Sequence, residues 1–111
     1  MSLIRFIMMA AILSVTSMTV SAADPLKVAF VYAAPIGDGG WNFAHEKARR
    51  EVQAKFGNKI KTMYVESVAD GADSERVMRD LISQGANVIV GTSFGYMGPM
   101  LNLSRDHSSV K

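Results

Sequence analysis

The chain has 111 residues, no cysteine and a formal net charge of +2. That length accommodates one small domain, and without cysteine no disulfide can form, so an exported form must be held together by packing alone. Acidic and basic residues are interspersed without a lysine or arginine run, which excludes the basic stripe of a nucleic-acid-binding surface.

Residues 1–22 have the three parts of an export signal. Arg5 supplies the positive start, residues 6–20 form an apolar run broken by Ser and Thr alone, and Val20, Ser21 and Ala22 offer the small residues that precede a cut. The run is shorter than the roughly 20 apolar residues of a membrane span. Cleavage near Ala22 or Ala23 is therefore expected, with residues 23–111 as the mature α/β portion in the periplasm. No cysteine follows the run to carry a lipid.

Residues 27–33 are a nearly unbroken apolar run between Pro25 and Pro35, the pattern of a strand buried on both faces in a parallel sheet. The Gly- and Pro-rich residues 34–40 read as a loop. Across residues 41–56, Ala44, Ala48, Val52 and Phe56 recur every four positions with charged residues between them, which predicts an amphipathic helix with that apolar stripe inward. Glu46 and Arg50 are spaced for an ion pair on it, and Gly57 is placed to end it.

Residues 59–68 predict a second strand nearer a sheet edge, because polar residues alternate with its apolar ones. An acidic turn over residues 70–73 leads to a helix at 74–84, with Val77, Met78, Leu81 and Ile82 as its apolar stripe and Gly85 as its stop. Residues 86–91 read as a short buried strand, 92–98 as a loop and 99–106 as a third helix. This alternation predicts a parallel sheet with flanking helices, and it brings the loops at 34–42, 66–70 and 92–97 to the carboxyl ends of the strands, where ligands gather in such sheets.

Catalysis has little to work with. His45 reads as a surface residue, and His107 lies in a different context. Gly91, Ser93 and Gly95 match the Gly-x-Ser-x-Gly turn of Ser hydrolases, but no credible acid and base follow. The glycines at 37, 39 and 40 do not complete a dinucleotide loop, and no Walker-type lysine is present. No enzyme activity, cofactor or metal is assigned.

The segments Lys27-Val-Ala-Phe-Val-Tyr, Gly37-Asp-Gly-Gly-Trp-Asn-Phe-Ala-His, Tyr64-Val-Glu-Ser-Val, Asp70-Gly-Ala-Asp-Ser-Glu-Arg-Val and Gly91-Thr-Ser-Phe-Gly-Tyr-Met stand in a telling order. In that order and spacing they resemble the basic membrane protein family of ABC-transporter substrate-binding proteins, which includes purine-nucleoside binders. The resemblance implies a type I periplasmic-binding fold of two α/β lobes that enclose a solute and deliver it to an ABC permease in the inner membrane, monomeric at full length. Members are much longer, so this chain is expected to be a truncated first lobe, with Val110 and Lys111 where a fourth strand would begin.

The resemblance also implies a site. In the nucleoside binders the segment matching Asp38 to Asn42 lies at the cleft, with an aromatic at the position of Trp41 stacked on the base. Asp38 and Asn42 would then bond to polar edges of the solute, while Ser93, Phe94 and Gly95 would supply a hydroxyl, a second aromatic wall and backbone donors at the start of the third helix. The competing assignments are that Trp41 caps the apolar face of its helix, that Asp38 is a turn or capping residue, and that Phe94 packs beneath a tight turn. At the level of function, the competing assignment is a periplasmic ligand-sensing domain of a signalling system.

Overall fold

The computed structural model describes residues 21–111, so the expected export signal lies, apart from its last two residues, outside the described residues. Three parallel strands, β1 (Leu26–Val31), β2 (Ile60–Val65) and β3 (Val88–Gly91), form a sheet in the order β2-β1-β3. Three helices, α1 (Trp41–Phe56), α2 (Ala72–Ser83) and α3 (Met97–Asp106), alternate with them. Short 3-10 turns occupy Ile36–Asp38, Gly57–Lys59 and Phe94–Tyr96. The expected α/β class and the edge position of β2 both hold. The third helix starts two residues before the predicted position, because the turn ahead of it runs directly into Met97.

β1 is the centre of the fold, with Leu26 to Val31 in register with Ile60 to Val65 on one side and Val28 to Val31 with Val88 to Gly91 on the other. Strand side chains alternate between faces. Ala29 and Val31 therefore join the larger core of Met78, Leu81, Ile89, Tyr96 and Leu103 beneath α2 and α3, while Val28, Phe30 and Tyr32 point to the opposite face. On the outer side of β3, the Lys111 N–H donates to the Asn87 carbonyl at 3.0 Å and the Ile89 N–H to the Lys111 carbonyl at 2.7 Å. That is the parallel pairing expected of a fourth strand at this position.

Two tyrosines are fully buried, and each hydroxyl has a partner: Tyr96 donates to the Val68 carbonyl at 2.7 Å and Tyr32 to Glu46 Oε2 at 3.1 Å. Burial pushes the Tyr96 hydroxyl up to about 12, with the nearby Asp70 charge adding to the effect.

α1 keeps its predicted boundaries but not its predicted face. Ala44, Ala48 and Phe56 are exposed and Val52 is only half-buried, whereas Asn42 and Glu46 are buried. Geometry accounts for the correction. At 3.6 residues per turn, positions four apart drift, so that 44, 48, 52 and 56 spread over about 120° of the helix circumference, whereas 42, 46, 49 and 53 stay within about 60°. The second set meets the sheet through polar contacts. Arg49 bonds to both Glu46 oxygens at 2.7 and 2.8 Å and to Thr62 Oγ1 at 2.8 Å, and its guanidinium lies 4.9 Å from the Tyr64 ring centroid. Gln53 accepts from the Thr62 N–H at 2.8 Å, and the predicted Glu46–Arg50 pair forms at 2.9 Å.

Hydrogen bonds from Arg49, then from Arg50 and Tyr32, outweigh the burial of Glu46 and hold its carboxyl down at about 2, against an ordinary 4.5. A depressed carboxyl stabilises the fold above its unfolded value, and that contribution is lost as pH falls through the folded one. Acid titration of stability should therefore show a loss between pH 4.5 and about 2 that Glu46→Gln largely removes. At neutral pH the same substitution, which leaves the half-buried Arg49 without its anionic partner, should cost about 1–3 kcal/mol in denaturant unfolding. Gly91→Ala tests the other face: its Cβ would meet Met100 Sδ at 2.8 Å and Tyr96 Cδ2 at 3.1 Å. Overpacking of about 1–3 kcal/mol is expected by the same assay.

Candidate functional site

Three hydrogen bonds tie together the loops that leave the carboxyl ends of the strands. Trp41 Nε1 donates to the Thr92 carbonyl at 2.7 Å, joining the loop after β1 to the loop after β3. Ser93 Oγ donates to Asp70 Oδ1 at 2.9 Å, joining the loop after β3 to that after β2. The Ile36 N–H donates to Glu66 Oε2 at 2.7 Å and closes the triangle between the loops after β1 and β2.

Trp41 is the first residue of α1 and remains 65% exposed although its indole N–H is bound. Its ring is also braced by His45, one helical turn on, whose Nδ1 pairs with the Trp41 carbonyl at 2.8 Å and whose ring centroid lies 4.6 Å from the indole. His45 is thus half-buried and partnered, where the sequence had suggested an ordinary surface residue. Phe94 is 87% exposed on its turn, so it does not pack underneath.

Asp38 and Asn42 stand at the same rim but are engaged within it. Asp38 Oδ1 accepts from the Gly40 N–H at 2.8 Å and the Phe43 N–H at 3.2 Å, and Oδ2 accepts from Asn42 Nδ2 at 2.8 Å. This satisfies an orphan donor in the first turn of α1, the task of a capping side chain. The Asn42 amide, with those backbone donors, holds the Asp38 carboxyl below its ordinary range. Asn42 is buried, and its Oδ1 has no partner among the described residues.

Ser93 accepts from the Gly95 N–H at 3.3 Å and so opens the turn into α3. A side chain at Gly95 would overlap the Asp70 carboxyl, so the glycine is what allows that acid to lie across the turn. Ser93 donates its hydroxyl hydrogen to the Asp70 carboxylate, and among the described residues no histidine is hydrogen-bonded to it, so the Ser–His pairing of a hydrolase does not form at this turn. Among the described residues no cluster of His, Asp and Glu could hold a metal. Sequence reasoning missed Asp70, Thr92 and His45. Asp70 and Thr92 lie in loops expected at the carboxyl ends of the strands, but Asp70 reads as a turn acid and Thr92 acts through its backbone.

A cavity of about 350 Å³ lies between α2, α3 and β3, lined mainly by apolar residues that include Met78, Ile82, Met100 and Leu101.

Residues 26–111 match the family model for Bmp, ABC transporter substrate-binding protein PnrA-like. The chain belongs to that family. It is 41% identical over 90 residues to a purine-binding protein of Brucella abortus, covering 81% of this chain and 26% of the relative. It is 39% identical over 87 residues to a putative ABC transporter glucose-binding protein of Haloferax volcanii, covering 78% and 22%. The chain thus spans about a quarter of the length of the curated relatives it matches. An ABC transporter solute-binding protein from Conexibacter woesei superposes with a TM-score of 0.69 at 22% identity, over 77% of this chain and 27% of that one, a likeness of fold. Bmp proteins are solute-binding proteins and not an enzyme family.

Trp41 is the single tryptophan of the chain, so its fluorescence reports on this rim alone. An indole 65% exposed should emit at long wavelength and be readily quenched by acrylamide, and spectra of a shielded indole would contradict the geometry.

Proposed function

We propose that this chain forms one wall of the solute cleft in the binding component of an ABC importer, working in the periplasm and handing a nucleoside or related heterocycle to an inner-membrane permease. One observation carries the reading: the Trp41 indole is fixed by its N–H bond to the Thr92 carbonyl and still turns much of its surface to solvent. A flat aromatic held in one orientation at the carboxyl ends of parallel strands is a stacking platform ready before the solute arrives, which limits the ordering cost of binding. Phe94 offers a second exposed ring two residues beyond Thr92, in the loop that holds the indole. Ser93, which accepts from the Gly95 N–H and donates to Asp70, is the neighbouring polar group in that loop, while Asp38 and Asn42 support the reading as the cap that holds α1, and so Trp41, in place.

Kinship with a purine-binding protein favours a heterocycle, and kinship with a putative glucose-binding protein supplies the natural comparison ligand. The apolar residues 6–20 behind Arg5 support export.

Titration with adenosine, inosine and guanosine should quench Trp41 emission saturably, with glucose weaker. By calorimetry, Trp41→Ala should lower nucleoside affinity by about 5- to 150-fold, the equivalent of roughly 1–3 kcal/mol of stacking. Unchanged affinity would remove the indole from the site.

A further inference from the structure

Trp41 opens α1, and the two residues before it, Gly39 and Gly40, carry no side chain to flank its ring. Support has to come from later in the helix or from another loop. Residues four apart are neighbours on a helix surface, and helical side chains lean toward the N-terminus, which carries His45 over the turn that holds Trp41. Its Nδ1 lies 2.8 Å from the Trp41 carbonyl oxygen, and because a carbonyl only accepts, Nδ1 is the nitrogen that carries the hydrogen. The imidazole is thereby tethered with its centroid 4.6 Å from that of the indole, the two planes inclined at 54°. That separation is at the short end of the roughly 4.5–7 Å range of aromatic pairs, where one ring stands over the other rather than beside it.

We propose that His45 is a positioning residue of the solute site: its imidazole backs one face of the Trp41 indole, fixes the tilt of that ring and leaves the opposite face as the stacking surface. The inference rests on the solute-capture reading above. His45 adds a second restraint to the one Thr92 supplies. The bond from Trp41 Nε1 to the Thr92 carbonyl anchors the indole at one point of its edge, and a ring held at one point can still rock about that bond. A contact on its face, from α1 and not from the loop of Thr92, removes the rocking.

The consequence is a platform with one open side. The indole remains 65% exposed with both restraints in place, so the bracing does not close the ring to solvent. A flat solute has one face to stack on, and it meets that face already oriented. Ordering a mobile side chain on binding opposes association by the equivalent of about 2- to 10-fold in affinity, a cost that His45 removes beforehand. The contact is between ring surfaces, so another aromatic ring at position 45 can supply it, whereas an amide that reaches the same carbonyl cannot.

The test reads the fluorescence of Trp41, the single tryptophan of the chain, in the parent and in His45→Ala, His45→Phe and His45→Gln, with circular dichroism as the control for folding. Time-resolved anisotropy follows the motion of the indole, acrylamide quenching its open surface, and titration with adenosine its use as a platform. His45→Ala should add a fast anisotropy decay, raise the quenching constant and weaken adenosine binding about 2- to 10-fold. His45→Phe should bring all three back toward the parent, and His45→Gln should resemble His45→Ala. That contrast gives the reading even if His45→Ala fails to fold. Indole motion and adenosine affinity unchanged in His45→Ala would overturn the assignment. So would recovery in His45→Gln but not in His45→Phe, which would make the tether to the carbonyl, and not the ring, the active part. If adenosine does not quench the parent at millimolar concentration, the capture reading falls and the stacking role falls with it, whereas saturable quenching with unaltered indole motion in His45→Ala removes this assignment alone.

Discussion

β1 carries a parallel neighbour on each edge and a packed layer on each face. A strand must be apolar where it is enclosed in this way, and Val28 to Tyr32, past the exposed start at Leu26 and Lys27, are all buried. Parallel pairing imposes a second condition. Each connection must cross back over the sheet, so every loop that follows a strand emerges at the same rim. Trp41 and Thr92 are 51 positions apart, and Asp70 and Ser93 are 23 apart, yet both pairs are in hydrogen-bond contact there. The rim exists because β1 sits between β2 and β3.

The two faces of the sheet are closed by different physics. Beneath α2 and α3 the contact is apolar, with Met78, Leu81 and Leu103 filling space against Ala29 and Val31. α1 instead meets its face through Glu46, Arg49 and Gln53, which reach Tyr32, Thr62 and Tyr64. Burying such charges costs desolvation, offset here by the number of partners that surround Glu46. What the arrangement adds is direction. Hydrogen bonds tolerate less rotation than apolar contact, so this face fixes how α1 is turned about its axis and where its first residue, Trp41, must point.

Much of the fold could be read from the residues because local patterns were strong. The unbroken run at 27–33, the stripe of Val77, Met78, Leu81 and Ile82, and the glycines at 57 and 85 each specify one local conformation, and the elements formed with small shifts at their ends. The inward face of α1 was misread because apolar residues recurring every four positions suggested a single buried stripe, although that spacing drifts around the helix. Ala44 and Ala48 offer little surface to bury, whereas the sheet opposite presents the hydroxyls of Tyr32 and Thr62, which take polar partners from α1, and the Tyr64 ring beneath Arg49. At the rim, the resemblance picked out Trp41, Ser93 and Phe94 as residues of one neighbourhood. It could not show that Asp38 is taken up by the first turn of α1 while Asp70 keeps an oxygen open, since those facts depend on which donors lie nearby in space.

The sequence by itself determined the alternation of strands and helices, the burial of β1 and the end of the sheet where the loops gather, because each follows from spacing along the chain. Tertiary structure alone decided which side of α1 faces inward, which carboxylate is spent on capping and which hydroxyl is spent on a carboxylate. Those outcomes are settled by competition among polar groups for partners brought together from distant positions, and no local pattern of residues encodes the winner.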